Sequence, residues 1–306
     1  MEYYTELLEV QKIEKDSFLH HKFIPMGLGS ILSRLMVGLN LSLFMKRDFS
    51  FEIENTYCIE KYFQQLFKKE KGDSKNVYEW NFLKDTWESV SKNLHMYPSC
   101  PFEQWKHLTK YQWNILLAHC ICGVPTAALE DVKTDFKNRV QWNSFDMHVG
   151  VHVRCGDKQI ENPFIPESIY YRYLSIIFTE HKDKRIGMYL TSDDEDTYRR
   201  MKAELEEFDN VTILWDEKEK RYNNCNGNFV HANPEYIQQE TETGCKCISL
   251  LGDCEYVVGM STAQFTWLGG LLSAFKHTFS EEKHLMINPH SYRLDHWASS
   301  YSYGEL

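Results

Sequence analysis

The chain lacks the features that would place it in several broad classes. No apolar run reaches the ~20 residues of a membrane span, and the longest candidate, "WNILLAHCICGV", has the length of a core helix. The opening "MEYYTELLEVQKIEKD" is polar and acidic, so no secretory signal is expected there. Basic charge is in deficit, with a net charge of −10. That removes the electrostatic footprint of nucleic-acid or anionic-membrane binding, so any bound anion needs a local site. Neither a G-x-G-x-x-G nor a Walker pattern occurs, which argues against a dinucleotide dehydrogenase or a P-loop NTPase. No repeat and no low-complexity tract is found. The nine cysteines form an odd set without framework spacing. Reduced thiols and a cytoplasmic location are the expectation. The pairs Cys120–Cys122 and Cys245–Cys247 have no partner at zinc-finger spacing, and no metal site is assigned.

What is present is ordinary for a soluble globular protein. Of 306 residues, 42% are hydrophobic and 25% charged, enough for one large or two medium domains. Aromatics reach 14%, which suits sugar faces but more often a well-filled core. After Pro25, "MGLGS" marks a turn. Apolar residues at Ile31, Leu32, Leu35, Met36, Leu39 and Leu43 then follow a helical period. "FSFEIEN" alternates as a strand, completing a βαβ grammar. Segments 59–70, 101–122 and 126–142 read as helices. In the second half, strands at 147–154, "IGMYLTS", "NVTILWD", "EYVVGM" and "HLMIN" alternate with helices. The helices open at Pro166, at "TYRRMKAELEEF", near Glu235 and at Ser261–Thr262. Such alternation predicts a parallel, doubly wound α/β sheet. Two Rossmann-like halves, residues 1–145 and 146–306, with a cleft between them, are the expected organisation.

Three strand ends carry polar loops: "RCGDK" at 154–158, "SDDED" at 192–196 and "MSTAQ" at 260–264. A parallel sheet brings all three to one carboxyl edge, where such folds bind ligands. Arg154 closes a buried strand, which costs desolvation unless the guanidinium is paired, either with phosphate oxygens or with a carboxylate such as Asp157 or Asp193. "MSTAQ" reads either as an anion seat at a helix N-terminus or as plain N-capping by Ser261 or Thr262. The acids Asp193, Asp194, Glu195 and Asp196 read as a metal-binding D-x-D-like run or as an acidic helix start, with Asp193 or Asp194 facing a ligand.

"GVHVRCGDK" resembles the signature strand of the α1,6-fucosyltransferases, which reads H-V-R-R-T-D-K in vertebrate and H-I-R-H-G-N in rhizobial members. The likeness continues in order through "FIPESIYY", "MYLTSDDED" and "GDCEYVVGMSTAQF", and "GLGSILSRL" resembles the family's G-x-G-x-x-L opening helix. It covers roughly residues 26–60 and 147–275. The resemblance implies a GT-B-like enzyme of two Rossmann-type domains, the first for the acceptor and the second for the donor. It implies an inverting, metal-independent transfer of fucose from GDP-fucose to a glycan hydroxyl, with no other cofactor. Carried onto this sequence, the donor would meet Gly27, Gly29, His152, Arg154, Asp193, Asp194, Ser261, Thr262, Ala263 and Gln264. The acceptor would meet Lys158 and Tyr170. Arg154 would stabilise the leaving diphosphate, Glu161 would be the general base, and Asp157 would orient Arg154 or take the base's place.

The chain departs from the family at three positions. Cys155 stands where a second arginine is found, Ala263 where a serine binds phosphate, and Cys247 where an aspartate reads guanine. A thiol is a poor acceptor for guanine's N1–H and N2–H₂ groups; Glu240 or Glu242, on the preceding turns, would then substitute. A UDP-linked sugar such as a pentose stays open as donor. So do a metal-dependent transferase using residues 193–196 and a non-catalytic nucleotide-sugar or glycan-binding module.

Overall fold

The computed structural model describes residues 7, 18–23, 27–45, 47–53, 58–64, 77–80, 100–155, 162–221 and 234–295. Its elements form a three-stranded and a six-stranded sheet and seven α-helices among the described residues. The first sheet has the order β2-β1-β3, from β1 (Phe18–Phe23), β2 (Asp48–Ile53) and β3 (Val77–Trp80). All its pairs are parallel, so β1 and β2 close a βαβ unit around α1 (Leu28–Phe44). β3 has no counterpart in the sequence reading.

The second sheet has the order β6-β5-β4-β7-β8-β9. Its strands are β4 (Met147–Val153), β5 (Ile186–Ser192), β6 (Val211–Leu214), β7 (Tyr256–Met260), β8 (His284–Ile287) and β9 (Leu294–Asp295). Only β9 is antiparallel. Removing that edge strand leaves the doubly wound order, whose reversal falls between β4 and β7. β4 and β5 are buried at every position, as expected of central strands covered on both faces.

The helices are α2 (Lys110–Cys122), α3 (Ala127–Arg139), α4 (Glu167–Glu180), α5 (Thr197–Glu204), α6 (Pro234–Leu251) and α7 (Gln264–His277). The single helix expected over 101–122 is corrected. Thr109 is extended and caps α2 in a reciprocal box with Gln112, so the helix begins at Lys110 after a short 3₁₀ turn at Glu103–Trp105. Of the 59–70 helix, the described part is a 3₁₀ turn at Ile59–Lys61.

α1 is buried almost all round rather than on one stripe, and its polar residues are accordingly partnered. Asn40 accepts from the Trp113 indole at 2.7 Å, and Ser42 donates to the Leu39 carbonyl at 2.8 Å. The core around α1 and α2 also takes Ile237, Cys245 and Ile248 of α6 and Trp267, Leu268 and Leu271 of α7. Burying one such side chain contributes roughly 1.5–3 kcal/mol, so α6 and α7 tie the two sheets together. α3 precedes residue 145, yet its Phe136 packs with Tyr189, Leu214 and Val257 of the second sheet and Leu251 of α6.

Candidate functional site

A cleft of about 580 Å³ opens at the carboxyl edge of β4, β5, β6 and β7. Two helices begin on it. α1 starts at Gly27 and α7 at Ala263, and neither N-cap residue makes a side-chain capping bond. The first turn of a helix carries N–H groups without intrahelical acceptors and the positive end of the dipole. Leu28, Gly29 and Ser30 of α1 and Gln264 and Phe265 of α7 line the cleft. The helix starts are close-packed. A Cβ on Gly29 would lie 2.7 Å from the Gln264 Cβ, and one on Gly244 of α6 would lie 2.5 Å from Leu28 Cδ2. Ser33 clasps the contact by donating to Gln264 Oε1 at 2.6 Å.

Arg154 lines the cleft just beyond β4. One of its terminal nitrogens donates to Asp193 Oδ2 at 2.5 Å, and Asp193 Oδ1 accepts the Cys155 N–H at 2.8 Å. The parallel register sets Val153 opposite Ser192, which brings the two loops together. Arg154 is about one-third exposed and is part of the cleft wall. Asp193 thus orients Arg154 from the β5 side. Asp157, Lys158 and Glu161 lie outside the described residues. His152, one pleat back, is buried and bonded through Nδ1 to Thr266 Oγ1 at 2.9 Å. Burial first, and Arg154 second, push its pKa down to about 3, so the ring is neutral near pH 7.

Of the expected donor-side residues, Gly27, Gly29, His152, Arg154, Asp193, Thr262, Ala263 and Gln264 line one cleft. Three expected residues stand elsewhere. Asp194 accepts from Arg200 at 2.5 Å and Thr197 at 3.0 Å, so it braces the start of α5. Ser261 is 1% exposed, with its N–H on Ile287 and its carbonyl on the Trp267 indole. Tyr170, expected on the acceptor, is fully buried in the core formed by α4 and the second sheet. It falls on the apolar stripe with Leu174, Ile177 and Phe178, and helical spacing turns it inward.

The 193–196 acids do not gather as a metal cage, because the inner pair is already bonded to arginines and the outer pair is exposed. Among the described residues no group of three His, Cys, Asp or Glu side chains could hold a metal ion. The eight cysteines among the described residues are free thiols. Cys247 lines the cleft, and its thiol accepts from Thr191 Oγ1 at 3.1 Å and from the Tyr189 hydroxyl at 3.3 Å. Burial raises its pKa to about 12, so it stays protonated. Glu242 also lines the cleft and accepts from the Tyr62 hydroxyl at 3.0 Å.

One charged lattice was not anticipated from the sequence. Arg139 of α3 pairs bidentately with Asp216, both bonds at 3.0 Å. Lys246 of α6 reaches Asp216 at 2.7 Å and Glu219 at 2.5 Å, and Arg221 reaches Glu219 at 3.1 Å. All five residues line the cleft. Asp216 is nearly buried; burial opposes its ionisation, but bonds from Arg139 and Lys246 outweigh that and hold its pKa well below the usual carboxylate range. A signal for this loop existed: "NVTILWD" is a fourth strand end on the same edge, followed by "EKEKR". Nothing local marks Arg139 or Lys246, which arrive from helices.

No family model matches the chain, and no curated protein matches it. Among solved structures, a mutant of Arabidopsis thaliana FUT1 in complex with GDP aligns with a TM-score of 0.53 at 12% identity, over 90% of this chain and 73% of that one. The α-1,6-fucosyltransferase NodZ co-crystallised with GDP aligns at 0.49 and 13% identity, over 85% and 93%. POFUT1 in complex with GDP aligns at 0.49 and 7% identity, over 90% and 99%. At such identities the likeness is one of fold, and the comparison rests on FUT1. The chain has the GT-B-like α/β fold of a fucosyltransferase, the fold that the order of its sequence motifs implies.

Proposed function

We propose that the chain is an inverting glycosyltransferase that moves fucose from GDP-fucose onto a glycan hydroxyl. The observation that carries this reading is the convergence of Arg154 with the uncapped starts of α1 and α7 on one cleft. Two helix dipoles and a forked cation form a seat for a diphosphate, and they do so in a chain of net charge −10. FUT1, which shares the fold, is described in complex with GDP.

The roles follow from charge development. As the bond between the sugar carbon and the phosphate oxygen breaks, negative charge builds on the leaving diphosphate, and Arg154 with the helix starts takes it up. The acceptor hydroxyl forms its new bond from the opposite face and gives its proton to a carboxylate, assigned to Glu161. Residues 1–145 are assigned to the acceptor and 146–306 to the donor, with α3, α6 and α7 as the shared wall.

A thermal-shift panel of GDP, UDP and their sugars tests the donor. GDP-fucose is expected to raise the unfolding midpoint more than any UDP-sugar, because a ligand bound only by the folded state stabilises it. No shift with any nucleotide would refute the reading. For the base, Glu161→Gln is expected to keep GDP-fucose affinity while losing turnover. If it turns over normally and Asp157→Asn binds donor without turnover, the base is Asp157.

A further inference from the structure

We infer that Arg221 is a positioning residue for Arg154, acting through the Ser192–Asp193 turn; the inference rests on the proposed diphosphate site. The strand ladder explains why such a residue is needed. On its β4 side, β5 is paired as far as Val153↔Ser192. On its β6 side, pairing stops at Tyr189↔Leu214, three residues earlier. The Ser192 carbonyl therefore emerges at a buried edge where, among the described residues, no strand supplies a donor, and a buried carbonyl without a partner is costly. Arg221 supplies it, donating from Nε at 3.2 Å.

The remaining geometry makes this donor rigid. The other guanidinium nitrogens of Arg221 reach the Glu219 carbonyl at 3.0 Å, the Asp216 carbonyl at 2.9 Å and Glu219 Oε2 at 3.1 Å. Its face lies 3.6 Å from the centre of the Trp215 ring. Its side chain is 5% exposed, and Lys246 locks the Glu219 carboxylate from the far side. A planar fork with four acceptors fits this role, and a lysine cannot reproduce it. The turn is thus clamped from two directions. Arg221 holds the carbonyl of Ser192, and Asp193, the next residue, holds both Arg154 and the Cys155 N–H. Asp193 is a partner that aims Arg154, and Asp193 follows the turn that Arg221 fixes.

A double-mutant cycle separates positioning from simple structural support. Arg221→Met, Arg221→Lys, Arg154→Ala and Arg154→Ala/Arg221→Met are compared by calorimetry with inorganic pyrophosphate and with GDP, alongside thermal unfolding. Arg221→Met is expected to weaken both ligands about tenfold when Arg154 is present and to have no further effect in the Arg154→Ala background. Arg221→Lys should resemble Arg221→Met rather than wild type. If Arg221→Met does not fold, Trp215→Leu removes only the stack and is expected to show the same non-additivity at about threefold. Equal losses in both backgrounds, or undiminished affinity in the single variants, would overturn the inference while leaving the diphosphate site standing. A wild-type protein that binds neither pyrophosphate nor GDP would overturn the diphosphate site and this inference together.

Discussion

Both edges of the second sheet carry paired charged side chains and use them differently. At the amino edge, just before β7, Asp253 receives Lys133 at 3.2 Å, Lys137 at 2.8 Å and Lys276. Just before β4 and β5, Asp146 accepts the Arg185 N–H at 2.9 Å. Just before β7, Glu255 accepts the His148 N–H at 2.7 Å. Each of these carboxylates closes a junction between neighbouring elements. At the carboxyl edge, Arg154, Asp193, Asp216, Glu219 and Lys246 are also paired, but the pairs form the wall of an opening.

Parallel topology accounts for the difference. Every strand-to-helix crossover starts its helix at the carboxyl edge and ends it near the amino edge. Helix N-termini therefore collect on one side and helix C-termini on the other. Lys137 and Lys276 sit in the last turns of α3 and α7, where the dipole favours cations, and Asp253 completes them. α3 serves both groups: Lys133 and Lys137 face Asp253, while Val132, Asp135 and Arg139 face the cleft. The lesson is that paired charge alone does not distinguish a binding edge from a structural one. What distinguishes the binding edge is that the starts of α1 and α7 open on it.

Substitutions that act on only one edge sharpen this contrast. The largest effect is expected at Arg154. Arg154→Ala should lower transfer by ~10²–10³, the usual cost of losing one charge-stabilising donor, and Arg154→Lys should recover little because it cannot chelate two oxygens. Asp253→Asn should leave kcat/KM unchanged, and a comparable loss of transfer there would break the comparison.

Next is Asp216→Asn. It leaves Arg139 and Lys246 facing a neutral group in a buried lattice, and removing one partner of such a set costs about 3 kcal/mol, measured by denaturant unfolding. GDP affinity should fall with it, because the 216–221 loop forms the cleft wall.

Asp253 should act through pH. Burial would raise its pKa, but Lys276, Lys133 and Lys137 outweigh burial and hold it well below the ordinary carboxylate value. Its stabilisation is therefore full above the unfolded carboxyl's pKa near 3.8 and is lost as pH falls toward the depressed folded value. Asp253→Asn should lower stability at pH 7 and flatten the acid limb of a stability–pH curve, with nucleotide affinity unmoved. An unchanged acid limb would show that the three lysines do not hold this carboxylate.

The smallest effect separates two glycines that both line the cleft. A Cβ at Gly29 meets Gln264 at 2.7 Å, whereas one at Gly27 meets nothing within 4 Å. Gly29→Ala should push α1 from α7 and weaken GDP a few-fold by calorimetry, about 1 kcal/mol. Gly27→Ala should be close to neutral. Equal effects would mean that the approach of the two helix starts does not shape the seat.

The sequence by itself determined the alternation of strands and helices in the second half, the polar strand ends and Arg154 as the residue to watch. All three rest on local periodicity: a two-residue pleat for the strands, 3.6 residues per turn for the helices, and a charge where the apolar run stops. The same periodicity already placed Tyr170 on a core stripe, and the motif likeness alone drew it toward the acceptor. Only the tertiary structure brought Asp193 to Arg154, because the β4–β5 register sets Val153 beside Ser192 across a span of 39 residues. Only it brought Arg139 and Lys246 to the 216–221 loop, and only it met the start of α1 with the start of α7. Those pairings depend on long-range register and helix packing, and neither leaves a mark on the residues beside them in the chain.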